Sequence, residues 1–244
     1  KRLASKVFFT TSQYDRIICN WFDKKENPIS IELKYGENPN QKSKLYLNSN
    51  LNPFFKNKIQ GKDLGYNNIL DLDAGLNSIN EFNEPTCVII KHNNPCGVAS
   101  DKSINIAFKK SLQSDTMSAF GGIVILNKSV NKQLAKIINK NFFEIIAAKK
   151  FSKDSLSILS KKKNLILVET KNLLQDNKDD IKSVIGGYLT QEKNTHKIKK
   201  NDLKCVSTKK TNLNNFNDLL FAFKVCKHVK SNAIVLVRNK QTIG

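Results

Sequence analysis

Short apolar runs alternate with helical segments from residue 86 to residue 169, and this alternation constrains the fold more than any other feature of the chain. Between the runs, apolar residues recur at helical spacing in residues 104–112, 130–138 and 155–159. Strands that alternate with helices predict an α/β fold with a mixed, mostly parallel sheet that helices cover on both faces. The four runs are TCVII, GIVIL, FFEIIAA and LILVE.

Further elements are predicted on either side of this region. In residues 12–24, Tyr14, Ile17 and Trp21 share one face, so we expect an opening helix whose apolar stripe packs in the core. The other predicted elements are helices from residue 68 and over 216–229, strands at 31–34, 44–47 and 233–237, a polar excursion over 171–209, and a turn at the end that enters another strand.

The chain is strongly basic, with 41 Lys and Arg against 21 Asp and Glu and a formal net charge of +20. The lysines are dispersed, and only residues 161–163 and 197–200 form small clusters. This spread favours a compositional bias over a stripe of phosphate contacts, so no nucleic-acid partner is predicted. The longest apolar runs are strand-sized and the N-terminal one is too short for a signal peptide, so we expect a cytoplasmic protein without a membrane partner.

The loop KHNNPCG places Lys91 and His92 side by side at the end of a predicted strand. A second positive charge beside Lys91 is disfavoured, so His92 suits the role of a neutral base, although a structural histidine at a strand end fits the pattern equally well. The loop is similar to the zinc site of nucleobase deaminases, but Asn94 stands where those enzymes need Glu, and Cys96 has no partner cysteine three residues on. No metal is therefore predicted, and the five scattered cysteines are expected to be reduced.

Six ordered motifs resemble the bifunctional purine-biosynthesis enzymes that combine aminoimidazole carboxamide ribonucleotide formyltransferase with IMP cyclohydrolase. The resemblance covers nearly the whole chain. The motifs are KYGENPNQ, IQGKDLGYNNILDLDAG, IIKHNNPCGVA, DTMSAFGGIV, FFEIIAA and VKSNAIVLVRNKQTIG.

What the resemblance implies is the formyltransferase part, without the cyclohydrolase domain. The implied fold is a pair of cytidine-deaminase-like three-layer units without zinc, with the first unit in residues 1–200 and the start of a truncated second unit in residues 201–244. The chain begins without Met and ends on a turn into a strand, so we expect a piece of a longer protein. The family also implies a homodimer.

The resemblance further implies a set of site residues for formyl transfer from formyl-tetrahydrofolate, the co-substrate, to the ribonucleotide. His92 is expected to accept a proton from the ribonucleotide amine, and Lys91 or Asn232 to stabilise the oxyanion; Lys91 could alternatively assist departure of the folate nitrogen. The binding residues implied are Tyr35, Gly36, Asn68, Phe120, Gly121 and Glu144.

Two positions depart from the family pattern. The family usually has Arg where this chain has Lys34, and His where it has Asn40. Lysine keeps the charge but lacks the two-pronged geometry with which arginine binds phosphate. An alternative hypothesis is therefore a non-catalytic relative that binds purine ribonucleotide or folate without turnover.

Overall fold

A computed structural model describes residues 1–22, 30–46, 57–170, 179–209 and 211–244 of the chain. Its helices are α1 Arg2–Phe22, α2 Tyr66–Ile79, α3 Ile104–Ser114, α4 Lys132–Ile138, α5 Lys153–Leu159 and α6 Leu213–Cys226, with a 3-10 turn at Lys200–Asp202. Its strands are β1 Ser30–Leu33, β2 Ser43–Tyr46, β3 Lys58–Gln60, β4 Thr86–Lys91, β5 Asn94–Ser100, β6 Ile123–Leu126, β7 Ile145–Ala148, β8 Ile166–Glu169, β9 Asp179–Val184, β10 Gly187–Glu192, β11 Val237–Arg238 and β12 Gln241–Thr242.

The centre of the fold is an eight-stranded mixed sheet with the order β11-β12-β5-β4-β6-β7-β8-β3. Two further pairs, β1 with β2 and β9 with β10, form separate antiparallel hairpins. The predicted α/β class is therefore confirmed. The prediction of a mostly parallel sheet needs correction, because among the described strands of this sheet only the pairs β6 with β7 and β7 with β8 are parallel. Strand β4 pairs antiparallel with both β5 and β6, since the chain reverses directly after Lys91.

Helices cover both faces of the sheet, which gives three layers. Alternate residues of each central strand point to opposite faces: Ile89 belongs to the core under α3, α4 and α5, whereas Val88 and Ile90 belong to the core under α2 and α6. All three side chains are fully buried. Burial on both faces explains why these strands appear in the sequence as continuous apolar runs.

Most predicted elements are present, but several features differ from the prediction. The opening helix begins at Arg2, and the predicted core residues Tyr14 and Ile17 are 64% and 66% exposed, because an apolar stripe does not specify what covers it. The side chain of Trp21 lies outside the described residues. Strands β3 and β5 were not predicted, and the predicted polar excursion contains the hairpin of β9 and β10. Of the predicted strand at 233–237 only Val237 lies in a strand, since β11 has a neighbouring strand on one side only.

The segment from α6 to the end of the chain repeats the geometry of the segment from α2 to β5. Helices α2 and α6 are both 14 residues long, and their first turns read YNNILDL and LNNFNDL. In each segment an aspartate of the helix accepts a hydrogen bond from a backbone N–H 22 positions later, Asp71 from Asn93 and Asp218 from Lys240. We propose that residues 201–244 begin a second unit of the same kind, which joins the first through pairing of β12 with β5.

Candidate active site

The turn after β4 holds Lys91 and His92 in a defined geometry. Lys91 pairs with Asn94 across the hairpin, and the two residues between them, His92 and Asn93, have φ angles of 51° and 64°. Left-handed conformations at both central residues match the twist of a two-residue hairpin. Asn93 tolerates this conformation well, whereas the Cβ of a residue such as His92 usually disfavours it. His92 is exposed at the tip of the turn.

The side chain of Lys91 is directed at the loop before β6. Its Nζ donates a hydrogen bond of 3.1 Å to the backbone oxygen of Gly121. Gly121 has a φ of 66°, and a Cβ at this position would lie 3.2 Å from that Nζ. Its N–H donates to the oxygen of Phe142 at 2.9 Å. Glycine therefore allows the loop to approach Lys91 closely in a backbone conformation that other residues rarely adopt.

Glu144 lies beside this loop, one residue before β7. Its N–H donates to the oxygen of Gly122 at 3.1 Å, and its Oε2 accepts hydrogen bonds from Asn68 Nδ2 at 3.1 Å and Lys62 Nζ at 3.4 Å. Asn68 is held in turn, since its Oδ1 accepts from the N–H of Gly65 at the start of α2. The carboxylate is partly buried and fixed between α2 and the sheet.

Asp71, which stands one turn after Asn68 on α2, was not predicted as a site residue. Its Oδ1 accepts a hydrogen bond of 2.7 Å from the N–H of Asn93. Burial raises the pKa of the Asp71 carboxyl, whereas the hydrogen bond from Asn93 and the charges of His92 and Lys91 act to lower it. No local pattern marks this contact, because Asp71 has the appearance of a polar residue on the outer face of a helix; the signal in the sequence is the NNxxDL pattern that α2 shares with α6.

Two aromatic rings form an exposed surface beside Lys91. Phe120 and Phe142 are 67% and 53% exposed, and their ring centroids are 5.1 Å apart. Phe120 was predicted as a binding residue and Phe142 was missed. The alternation around β7 could have revealed Phe142, since the neighbouring Phe143 is buried and adjacent residues of an extended chain point in opposite directions.

The predicted residues Tyr35 and Gly36 lie in a tight loop between β1 and β2. The N–H of Gly36 donates to the oxygen of Gln41 at 2.7 Å. Asn67 of α2 donates to the oxygen of Glu37 at 3.2 Å, and this bond connects the loop to the first turn of the helix that carries Asn68. Lys34 Nζ lies 5.9 Å from the centroid of the Tyr35 ring, and Asn40 is exposed.

Asn232 is exposed. The N–H of Lys230, two residues earlier, donates to Asn94 Oδ1 at 3.2 Å. Among the described residues, the structure shows no hydrogen bond between Asn232 and the other predicted site residues. The backbone at Lys230 is thus brought to the turn, but the structure does not join the Asn232 side chain to Lys91 or His92.

The cluster lies where strand ends of both kinds meet. In parallel α/β folds, ligands usually bind outside the carboxyl ends of the strands. Because β4 and β6 are antiparallel, the carboxyl end of β4 instead meets the amino ends of β6, β7 and β8. Lys91 is the last residue of β4, Gly121 stands two residues before β6, and Glu144 stands one residue before β7.

Within the described ranges, no three His, Cys, Asp or Glu side chains lie close enough together to hold a metal ion. Cys96 is partly buried and its Sγ lies 3.5 Å from the oxygen of Ile89, so it packs within the hairpin. Among the described helices, none has both the length and the apolar character needed to cross a membrane.

Comparison with known proteins gives consistent matches over the whole chain. The family model described as AICARFT/IMPCHase bienzyme matches residues 1–244. The chain is 45% identical to the bifunctional purine biosynthesis protein PurH of Caldicellulosiruptor bescii, with 99% of this chain and 50% of that protein covered. It is 39% identical to PurH of Prochlorococcus marinus and 38% identical to PurH of Staphylococcus epidermidis, with 100% of this chain and 51% and 49% of those proteins covered. The chain thus spans about half the length of the curated relatives it matches.

Proposed function

The chain belongs to the AICARFT/IMPCHase bienzyme family, and we propose that it carries the formyltransferase chemistry of that family. In this proposal a formyl group moves from formyl-tetrahydrofolate to aminoimidazole carboxamide ribonucleotide, a step of purine biosynthesis. The assignment to the formyltransferase rather than the cyclohydrolase part rests on the site residues, because the family name covers both activities.

The observation that carries the proposal is a connected network of hydrogen bonds among residues from four separate motifs. Lys91 contacts Gly121, Glu144 is bonded to the backbone of Gly122, and Asn68 contacts Glu144. Asn68 lies on the same helix as Asp71, and Asp71 accepts a hydrogen bond from Asn93 in the turn that carries His92. A base, a cation, a carboxylate and an amide therefore lie together at the ends of the central strands β4, β6 and β7, next to exposed aromatic rings.

His92 is proposed as the base of the reaction. The amine of the ribonucleotide attacks the formyl carbon, so a C–N bond forms, the carbonyl oxygen becomes an oxyanion, and the amine loses a proton to the imidazole. A histidine exposed at the tip of a turn that hydrogen bonds hold in place suits this task, because proton removal requires access to the substrate and a fixed direction. The folate nitrogen then leaves as its bond to the formyl carbon breaks, and it takes up a proton.

Lys91 is proposed to stabilise the oxyanion. Its ammonium is held at Gly121 by one hydrogen bond, which leaves N–H donors for a ligand. A donor positioned for a developing oxyanion typically contributes about 10²- to 10³-fold in rate. Asn232 is proposed as a second donor, and proton transfer from Lys91 to the departing folate nitrogen is the alternative role for this lysine.

The remaining residues are proposed to bind the substrates. Phe120 and Phe142 present ring faces on which a flat heterocycle can stack. Glu144 is already fixed through Oε2, so its other oxygen is suited to accept a hydrogen bond from an amino or amide group. The loop of Tyr35 and Gly36 is proposed to bind the nucleotide.

The biological setting follows the family. We propose a cytoplasmic enzyme that acts on small-molecule substrates, without a nucleic-acid or membrane partner, and forms a homodimer. The competing hypothesis is a relative that binds purine ribonucleotide or folate without turnover. Lys34 favours it because lysine lacks the two-pronged geometry for phosphate, and Asn40 favours it because an amide, unlike histidine, cannot exchange a proton.

A turnover assay on the protein expressed from its full reading frame distinguishes these hypotheses. Formyl transfer is followed for wild type, Lys91→Met and a matched surface variant, Lys102→Met, and ribonucleotide binding is measured by calorimetry. Lys102 is exposed near the opposite end of β5. We expect wild-type turnover, a loss of at least about 100-fold in kcat for Lys91→Met, and less than a twofold change for Lys102→Met. Ribonucleotide binding without any wild-type turnover would refute the proposal in favour of the non-catalytic relative.

A further inference from the structure

The left-handed residues of the chain occur in a pattern that points to Asp71. Among the described residues, positive φ angles outside glycine occur only at His92, Asn93, Asn239 and Lys240. These four residues form the turns of two hairpins, β4 with β5 and β11 with β12. Such conformations persist where the surrounding contacts hold them, and they cluster at functional sites.

Each of these turns is held by one aspartate of the preceding helix. Asp218 uses both carboxylate oxygens, because Oδ2 accepts from the N–H of Asn239 at 2.7 Å and Oδ1 from the N–H of Lys240 at 2.8 Å. Asp71 uses Oδ1 for the N–H of Asn93 at 2.7 Å. The two aspartates occupy equivalent places in the repeated segments, so the chain contains two copies of one clamp.

The two clamps differ in what their turns carry. The turn held by Asp218 presents Asn239, whereas the equivalent position of the turn held by Asp71 is His92. Among the described residues, Asp71 Oδ2 accepts no hydrogen bond, while both oxygens of Asp218 are occupied. Asp71 is also close enough to His92, Lys91 and Glu144 to interact with their charges.

We infer that Asp71 is a positioning residue for His92, because its carboxylate fixes the left-handed turn that directs the imidazole at the substrate. The expected effect of Asp71 on kcat rests on the proposed function. Asp218 is the copy of the same clamp that positions no catalytic group. Misplacement of a catalytic group by about 1 Å can cost on the order of 10²-fold in rate, so loss of the clamp should act on kcat.

The test compares three variants of the protein expressed from its full reading frame: Asp71→Ala, Asp71→Asn and Asp218→Ala. Removal of the acceptor in Asp71→Ala should lower kcat by about 100-fold and leave KM for the ribonucleotide within about threefold. Asp71→Asn keeps an acceptor oxygen for Asn93 and should recover kcat to within about tenfold of wild type. Asp218→Ala should keep kcat within about twofold, even if it unfolds more easily.

Three results would overturn the inference: equal kcat losses in Asp71→Ala and Asp218→Ala, a change in KM alone, or no recovery in Asp71→Asn. A structural measurement separates this inference from the proposed function. In ¹³Cε1-histidine NMR, with the His92 signal assigned through His92→Gln, Asp71→Ala should increase imidazole motion and Asp218→Ala should not. If wild type has no formyl transfer, the proposed function fails, and the NMR comparison alone supports or overturns the role of Asp71.

Discussion

Gly97 tests whether the packing of α3 on β5 is as close as the structure indicates. Gly97 is buried in β5, and its oxygen accepts a hydrogen bond of 2.8 Å from Ser111 Oγ of α3. A Cβ on Gly97 would lie 2.0 Å from the backbone oxygen of Ser111 and 3.0 Å from its carbonyl carbon. Backbone atoms cannot rotate away as a side chain can, so Gly97→Ala must shift the helix or the strand.

The expected loss of stability follows from two opposing effects. Overpacking of a core typically costs about 1–3 kcal/mol, and a backbone contact places Gly97→Ala at about 3 kcal/mol. Alanine restricts the unfolded chain more than glycine does, which offsets about 0.4–1 kcal/mol. We therefore expect a net loss of about 2–3 kcal/mol in the free energy of unfolding, and a midpoint about 1 M lower in urea if m is 2–3 kcal/mol/M.

Urea unfolding followed by far-UV circular dichroism measures this difference. The matched control is Gly187→Ala in β10, where an added Cβ would meet nothing within 4 Å. The control should leave the free energy of unfolding unchanged or raise it by up to about 0.5 kcal/mol, because only the effect on the unfolded chain remains. Equal stabilities of Gly97→Ala and Gly187→Ala would refute the predicted close contact between α3 and β5.

Three further predictions concern buried charge and thiol groups. Glu81→Gln should destabilise the protein by about 3–5 kcal/mol in urea unfolding, because the Lys227 side chain is only 10% exposed and its Nζ, 2.7 Å from Glu81 Oε1, loses its charged partner. A change below about 1 kcal/mol would contradict this. Burial lowers the pKa of His228 below 6.5 despite its contact with Glu81, so the unfolded chain binds more protons between the two pKa values. Stability should therefore fall as pH decreases below 6.5, and a His228→Gln variant with an unchanged slope would exclude this histidine as the source. Burial raises the pKa of Cys87 to about 12, so in the folded protein at pH 8 a thiol reagent should label the exposed Cys205 and spare Cys87, as peptide mapping would show; equal labelling would show that Cys87 is accessible.

The strands and helices of the central region were predictable, because strands buried on both faces appear in the sequence as continuous apolar runs. The runs around Val88, Val124 and Ile146 contain almost no polar residues, and the helices between them keep their apolar spacing. The reversal after Lys91 was not predictable in the same way. Glycine usually marks a two-residue hairpin turn in a sequence, but here His92 and Asn93 adopt the left-handed conformations.

Candidate site residues that belong to a motif could be predicted from the sequence, whereas a residue that joins the candidate site through a contact with a distant residue could not. Lys91, Asn68, Gly121 and Glu144 were all named from motifs, and the structure connects them by hydrogen bonds. The role of Asp71 depends on a hydrogen bond across 22 positions, which no local pattern reveals. The repeat of NNxxDL in α2 and α6 was a signal in the sequence that could have suggested it.

The most direct test of the central claim is the rate of formyl transfer in His92→Ala, measured in a single turnover with the protein expressed from its full reading frame. His196→Ala is the matched control, because His196 is an exposed histidine on a polar segment outside the site. We expect wild type and His196→Ala to transfer the formyl group at the same rate, whereas His92→Ala should lose at least about 100-fold. Equal rates in all three proteins would show that the turn after β4 is not the catalytic centre.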